Sequence, residues 1–179
     1  MNMKLRIYIS KFYQQNKTPL LFLARAFGFY LIWIFVYHGI LVEIDIDDPL
    51  TEIVSKSSTK LLNEFDEKIS LRYLKGEFYI YREEINLIHI GDACNGLELY
   101  VLFISFYFAL GKAWQSIKWI LAGIAGIFIL NILRISGLAM MVLYRPTEIE
   151  FHHKYTFTLV VYSWILLIWI FSLKKERAK

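Results

Sequence analysis

The sequence contains one cysteine, Cys94, among its 179 residues, and it contains no internal repeat and no low-complexity tract. One thiol excludes a disulfide within the chain, so Cys94 is either a buried structural residue or a free functional thiol. The basic residues do not gather on one face or arm. They flank apolar segments instead, and this distribution argues against nucleic-acid binding.

The chain is rich in apolar residues, which make up 57% of it, and aromatic residues account for 17%. That content is too high for an ordinary soluble domain of this length and indicates segments that cross a bilayer. We therefore expect a single-domain, all-α polytopic membrane protein with about four transmembrane helices. The predicted spans are residues 20–42, 95–113, 117–143 and 155–173.

The charges beside these spans predict their orientation, because basic flanks stay on the cytoplasmic side. Residues 1–19, the short connection holding Lys112 and Lys118, and residues 174–179 are basic. Residues 43–94 are rich in acid and residues 144–154 are mixed, so both are expected outside. The pattern predicts a protein of the cytoplasmic (inner) membrane with both termini in the cytoplasm. The first apolar segment is too long for a cleaved signal peptide.

The external segment 43–94 is expected to contain two kinds of local structure. Asp48 is a predicted helix N-cap and Pro49 a first helical residue. Apolar residues then recur with helical spacing and predict an amphipathic helix against the membrane surface or the bundle; they are Leu50, Ile53, Val54, Leu61, Phe65 and Ile69. The following stretch "EFYIYREEINLIHI" predicts a short β-hairpin that leads to Cys94 just before the second span.

Polar residues interrupt the membrane pattern at three places, all toward the outer half of the bundle. Cys94 opens the second span, and His152 and His153 precede the fourth. Arg134 lies about nine residues from the outer end of the third span, or roughly 14 Å deep. An intramembrane arginine requires a partner in the bundle interior. Glu98 is a candidate partner, and Asn131, one turn before Arg134, is expected to orient it.

Cysteine, histidine and arginine together suit acyl transfer at a peptide bond. A thiolate is the nucleophile, and the positive end of a helix favours it. A histidine accepts the thiol proton and returns it to the leaving amine, while an arginine stabilises an oxyanion or holds a carboxylate. Asn95 and Gly96 follow the thiol, and Gly96 is expected to leave room for a substrate backbone.

Three motifs resemble those of the exosortases and archaeosortases. "ACNGLELY" resembles their A-C-x-G-[LI] motif and "NILRI" their N-x-x-R-[IV] motif, while "FHHKYTF" occupies the place of their histidine motif. Order and spacing match across residues 85–172. With four predicted spans, the chain resembles the short exosortase branch that keeps only the catalytic core.

The resemblance implies a membrane cysteine transpeptidase that needs no cofactor and whose active site faces outward. Such enzymes recognise a C-terminal sorting tail on secreted proteins, made of a short motif, a transmembrane stretch and a basic end. They cut at the motif and pass the acyl group to an envelope acceptor, a lipid or a polysaccharide. By motif, Cys94 is the nucleophile, Arg134 the catalytic or stabilising arginine, and one of His152 and His153 the base. His153 is favoured because Phe157, four residues later, begins the close-packed span.

Two alternatives stay open at this level. A zinc site is one of them, with ligands drawn from His89, Asp92, Cys94, His152 and His153. Arg134 would be an unfavourable neighbour for that cation. The other is a non-catalytic membrane assembly protein that keeps the same fold. Bound zinc would favour the first alternative, and normal substrate processing by a Cys94→Ala variant would favour the second.

Overall fold

The computed structural model describes residues 14, 16–37, 39, 48–91, 94–111 and 113–177, and these residues are mostly helical. The first two helices precede a three-stranded sheet, and three further helices follow it. In chain order the elements are α1 (Lys17–Val36), α2 (Asp48–Asn63), β1 (Ile69–Leu74), β2 (Glu77–Arg82), β3 (Ile85–Ile90), α3 (Leu97–Ala109), α4 (Ile117–Tyr144) and α5 (Phe157–Arg177).

Within these residues, three helical segments are long and apolar enough to cross a membrane: Lys17–Val36, Ile117–Tyr144 and Pro146–Lys175. A helical membrane protein is therefore confirmed, but among the described residues only three of the four predicted spans reach this length. The predicted second span, 95–113, contains only the 13-residue α3. At 1.5 Å per residue α3 is about 20 Å long, shorter than the roughly 30 Å hydrocarbon core. Gly96 and Gly111 have left-handed φ values of 84° and 68° and bound the helix at its two ends.

The predicted external loop 144–154 is instead helical and runs into α5. It consists of a 3-10 turn at Pro146–Glu148, a short α-helical turn at Ile149–Phe151 and a π-helical turn at His152–Thr156. A proline at the first helical position does not interrupt a helix, so Pro146 starts this segment rather than ending one. Residues 38 and 40–47, which include most of the outer end of the predicted first span, lie outside the described residues. So do most of the N-terminus and residues 178–179.

The predicted β-hairpin is part of a larger antiparallel sheet with strand order β1-β2-β3. The missed strand, β1, pairs with β2 from Ile69↔Arg82 to Leu74↔Glu77. In the pairing of β2 with β3, Ile80 faces Ile88 while Tyr81 faces Asn86. Leu87 is therefore the extra residue of a β-bulge in β3, and it lies four residues before Gly91.

Helix α2 forms as expected, but it ends at Asn63, before Phe65 and Ile69, and Val54 is the one fully buried residue among the predicted apolar positions within it. Ile53 and Phe65, both expected inside, are 54% and 73% exposed. The buried positions of α2 are mainly small and polar: Thr51, Val54, Ser55, Ser58, Thr59 and Leu62. Small side chains let α2 approach α4 closely, and the Ser136 hydroxyl of α4 donates to the Ser58 carbonyl at 3.4 Å.

Helix α4 connects two hydrophobic cores. One core packs α2 and the sheet against its C-terminal half, with Ile135 and Ala139 as the α4 contribution. The other packs α3 and α5 against its N-terminal half, with Ile120 and Ile127 from α4. The residues between these two sets, from Asn131 to Arg134, therefore lie where the elements of both cores meet.

Candidate active site

The Cys94 backbone is held in a tight turn between the sheet and α3. Its N–H donates to the Gly91 carbonyl at 2.8 Å, and its own carbonyl accepts a 2.8 Å hydrogen bond from Nδ2 of Asn131. Asn131 is buried in α4 and 1% exposed. The thiol is free and half-buried. Asn131 therefore fixes the Cys94 backbone and not Arg134, which is the residue it was expected to orient.

The two residues after the thiol fix the start of α3. The Asn95 side chain is fully buried; its Nδ2 donates to Thr51 Oγ1 at 3.1 Å, and its Oδ1 accepts from the Leu97 N–H at 2.8 Å. Gly96 has φ +84°, and a Cβ at this position would lie 3.5 Å from Asn131 Nδ2. The turn itself therefore requires a glycine at position 96, for backbone conformation and for contact with Asn131.

Arg134 contacts His153 directly, through a distance of 3.0 Å between Nη2 and Nε2. A guanidinium has only donors, so Arg134 donates and the His153 Nε2 atom accepts. The geometry thus corresponds to a neutral imidazole whose proton is on Nδ1. The partner of Arg134 is therefore a histidine from the π-helical turn, and helices with a π-helical turn frequently carry functional residues there.

Glu98 is not the partner of Arg134. It is exposed, and in the described part of the chain it forms no hydrogen bond or ion pair with Arg134. Its position on α3 explains the difference: the inward face of this helix carries Tyr100, and Glu98 lies two residues, or about 200°, around the helix from it.

His152 has a different environment from that of its neighbour His153. Its Nδ1 atom lies 3.0 Å from Thr156 Oγ1, and its Nε2 atom lies 3.5 Å from a carboxylate oxygen of Glu148. Both partners belong to the same helical segment as His152. Of the two candidate histidines, His153 is thus the one brought to Arg134.

A cavity of about 190 Å³ joins the three candidate residues. Cys94, Arg134 and His153 line it from three separate parts of the fold. Its remaining walls come from β3, α4 and the turn before α5 and are mostly apolar; they consist of Leu87, Ile88, His89, Ile90, Ile135, Leu138, Val142 and Ile149. A low-polarity enclosure strengthens the electrostatic interactions made inside it.

The proposed zinc ligands do not assemble among the described residues, where no three histidine, cysteine or acidic side chains surround a common point. His152 is turned toward Glu148, and His89 is 3.0 Å from Glu77. Asp92 lies outside the described residues. Sequence reasoning did not find Glu77, because its pairing with His89 depends on the register between β2 and β3.

The model of the transmembrane exosortase family matches residues 17–171 of this chain. No protein of curated function and no solved structure matches the chain. The match includes all three motif regions, and it extends from the start of α1 to near the end of α5.

Proposed function

The chain belongs to the transmembrane exosortase family, and from that premise we propose that it is a membrane-embedded cysteine protease or transpeptidase. It cleaves the C-terminal sorting tail of a secreted protein on the outer side of the cytoplasmic membrane and transfers the acyl group to an envelope acceptor. One observation carries the proposal: Cys94, Arg134 and His153 line a single cavity although they come from three separate segments.

In the first half of the reaction, the Cys94 thiolate attacks the carbonyl carbon of the scissile peptide bond. The carbon–nitrogen bond then breaks, the amine leaves with a proton, and the acyl group stays on sulfur as a thioester. Arg134 has several N–H donors and a permanent charge, which suits it to the negative oxygen of the tetrahedral intermediate. His153 supplies the acid–base function, taking the thiol proton and giving it to the amine.

The contact between Arg134 and His153 suggests an order for these steps. While Arg134 donates to His153 Nε2, the lone pair of that nitrogen is occupied. When the guanidinium turns to a substrate carbonyl oxygen, Nε2 becomes free to accept the proton of the Cys94 thiol. Substrate binding would then free the base that activates the nucleophile.

The proposed orientation places the sheet, α2 and the Cys94 turn outside the membrane. It rests on the basic residues that flank the apolar segments, since such flanks remain cytoplasmic. Because Cys94 is the only cysteine, a membrane-impermeant maleimide reports on one position. We expect labelling of Cys94 from the outer side in spheroplasts. Labelling restricted to inverted vesicles would reverse the proposed topology.

The test of function is the processing of a co-expressed secreted reporter that carries a sorting tail encoded in the same genome. We expect Cys94→Ala, Arg134→Ala and His153→Ala each to abolish cleavage while the protein remains in the membrane. His152→Ala is the matched control, because its ring bonds to its own helix. We expect this variant to retain processing. Normal processing by Cys94→Ala would refute the proposed mechanism.

A further inference from the structure

Strand β3 is one of the two edge strands of the sheet, because the strand order is β1-β2-β3. Within the described residues β3 pairs with β2, and no backbone hydrogen bond joins residues 85–90 to any other segment. In an antiparallel pair, alternate residues direct both the N–H and the C=O away from the partner strand. One side of β3 therefore offers backbone donors and acceptors to a further strand.

The cavity at Cys94 runs along this edge of β3. Four consecutive residues of the strand line the cavity, namely Leu87, Ile88, His89 and Ile90. Successive side chains of a strand point to opposite faces of the sheet, so a cavity over one face would be lined by alternate residues. The side chain of His89, for example, lies on the exposed face, where it pairs with Glu77. Lining by consecutive residues therefore indicates that the cavity meets the backbone at the edge of the strand.

The edge of β3 leads directly to the candidate nucleophile. The strand ends at Ile90, and the Cys94 N–H donates to the Gly91 carbonyl at 2.8 Å, so the turn that carries the thiol follows the strand at once. The cavity has a volume of about 190 Å³. A sphere of that volume is about 7 Å across, and neighbouring strands lie about 4.8 Å apart, so the backbone of one more strand fits beside β3.

The sequence of β3 lacks the residues that normally protect an exposed edge. Such edges carry lysine, other charged residues or proline, which discourage pairing with another strand. The strand "INLIHI" contains no lysine, arginine, acidic residue or proline. The opposite edge strand, β1, contains Arg72, which pairs with Glu84. Because the unprotected edge is the one beside Cys94, the strand that it fits best is the peptide to be cut.

We propose that the sorting tail binds as an additional strand on the edge of β3, with the residues before its cut site extended. This inference rests on the proposed function, because the added strand is the substrate. The strand runs parallel to β3: the tail enters the membrane after its cut site, and the chain likewise continues from β3 through the Cys94 turn into α3. Backbone hydrogen bonds to β3 supply affinity in this mode of recognition, and alternate side chains supply specificity.

The surroundings of the edge indicate which peptides would bind. One set of alternate side chains faces the apolar wall that α4 contributes to the cavity, formed by Ile135, Leu138 and Val142. The other set lies over the exposed face of the sheet, which carries the polar pair Glu77 and His89. The recognised segment is therefore extended, with small or apolar residues at every second position and polar residues between them.

Disulfide mapping tests this arrangement without requiring catalysis. In a Cys94→Ala background, Asn86→Cys places a single thiol on the exposed face of β3. The co-expressed tail reporter carries one cysteine, placed in turn at each residue of the segment before the cut site. The spacing of neighbouring strands, about 4.8 Å, lies within the range of Cα separations in disulfides, whereas the next residue along points to the other face.

We expect the yield of conjugate to alternate along the reporter. One position should give the main conjugate with Asn86→Cys, and the positions one residue away should give about tenfold less. His89→Cys, three residues closer to Cys94, should select a reporter position closer to the cut site. Ser70→Cys is the matched control: Ser70 pairs with Tyr81, which pairs with Asn86, so it lies on the same face but at the opposite edge of the sheet. This variant should give no conjugate.

The outcomes separate this inference from the proposed function. Conjugate yields without alternation, or equal yields from Ser70→Cys and Asn86→Cys, would overturn the added strand. Disulfide-linked dimers of the Asn86→Cys protein in place of conjugates would also overturn it and would assign the edge to a second copy of the chain. Cleavage of the same reporters by the wild-type protein would leave the proposed function standing in each of these cases. Tail processing by Cys94→Ala would instead overturn the proposed function itself.

Discussion

Replacing Asn131 with alanine should loosen the turn that carries Cys94. Asn131 is 1% exposed, and its Nδ2 atom donates a 2.8 Å hydrogen bond to the Cys94 carbonyl. Without this donor the part-buried Cys94 carbonyl loses its partner, which costs about 1–3 kcal/mol. We expect the free energy of unfolding to fall by about that amount. We also expect tail processing to fall while alkylation of Cys94 by iodoacetamide becomes faster, because a looser turn exposes the thiol.

A leucine at position 131 separates the stability effect from the positioning effect. The Oδ1 atom of Asn131 is buried and has no hydrogen-bond partner in the described structure, so it carries its own desolvation cost. Asn131→Leu removes this cost together with the bond to Cys94. The two changes oppose each other, and we expect the free energy of unfolding to stay within about 1 kcal/mol of wild type. The effects on processing and on alkylation should match those of the alanine variant.

The assays are denaturant or thermal unfolding in detergent micelles and the rate of iodoacetamide incorporation at Cys94. Leu133→Ala, on the exposed side of the same helix, is the control for a change in α4 that does not touch the turn. Gly96→Ala examines the same turn from its other end, where φ is +84°, and it should cost about 1–3 kcal/mol through backbone strain. Wild-type unfolding and wild-type alkylation of Asn131→Ala would refute the assignment of Asn131 as the support of Cys94.

Two further predictions concern regions outside the cavity. Gly126→Ala would place a Cβ 2.2 Å from the Trp164 ring, so α5 must shift away from α4; we expect a loss of about 1–3 kcal/mol in thermal unfolding. Gly28→Ala is its control, because its Cβ would meet nothing within 4 Å, and an equal loss in both variants would contradict the packing argument. Asp66 accepts a 2.6 Å hydrogen bond from Arg82 Nε, which holds its pKa below the ordinary value. The stability that Asp66 contributes is therefore present above its unfolded pKa and is lost as pH falls through the lower folded pKa. Asp66→Asn should reduce the acid dependence of the unfolding midpoint, and an unchanged acid dependence would contradict this account.

The meeting of Cys94, Arg134 and His153 at one cavity was predictable from the sequence. Each is a polar residue within or beside a long apolar segment, and the interior of a bundle is the environment that tolerates such residues. Their spacing placed them toward one side of the membrane. The expectation that Asn131 orients Arg134 was wrong. The i, i+3 spacing shows that the two residues share a helix face, but it does not show that the Cys94 turn also packs against that face.

The remaining errors arose where local geometry determines the outcome. The phase of α3 depends on the left-handed turn at Gly96, and this phase turns Glu98 away from Arg134. The length of α3 could not be read from its apolar content, since Leu110 and Ala113, in the turns that follow the helix, are apolar as well. On α2, the buried face follows close packing of small side chains such as Ser55 and Ser58 against α4, and an apolar periodicity does not report this.

The loop predicted before the fourth span illustrates a different limit. The short stretch from Tyr144 contains a proline and several charged residues, which indicated an external connection. In the structure Pro146 is the first residue of a helical turn, and the segment continues into α5. Sequence reasoning therefore placed His153 near the start of a helix. In the structure His153 lies within a π-helical turn instead.

Helix α4 has a mechanical consequence for the site. It holds the Cys94 turn through Asn131 and the His153 turn through Arg134, and these two anchors lie about 4.5 Å apart along the helix axis. The thiol and the imidazole are thus each tied to α4, and no hydrogen bond ties one to the other in the described structure. A tilt of α5 relative to α4 can change their separation while both anchoring bonds remain. The width of the site can therefore follow the packing of the surrounding membrane without any part of the protein unfolding.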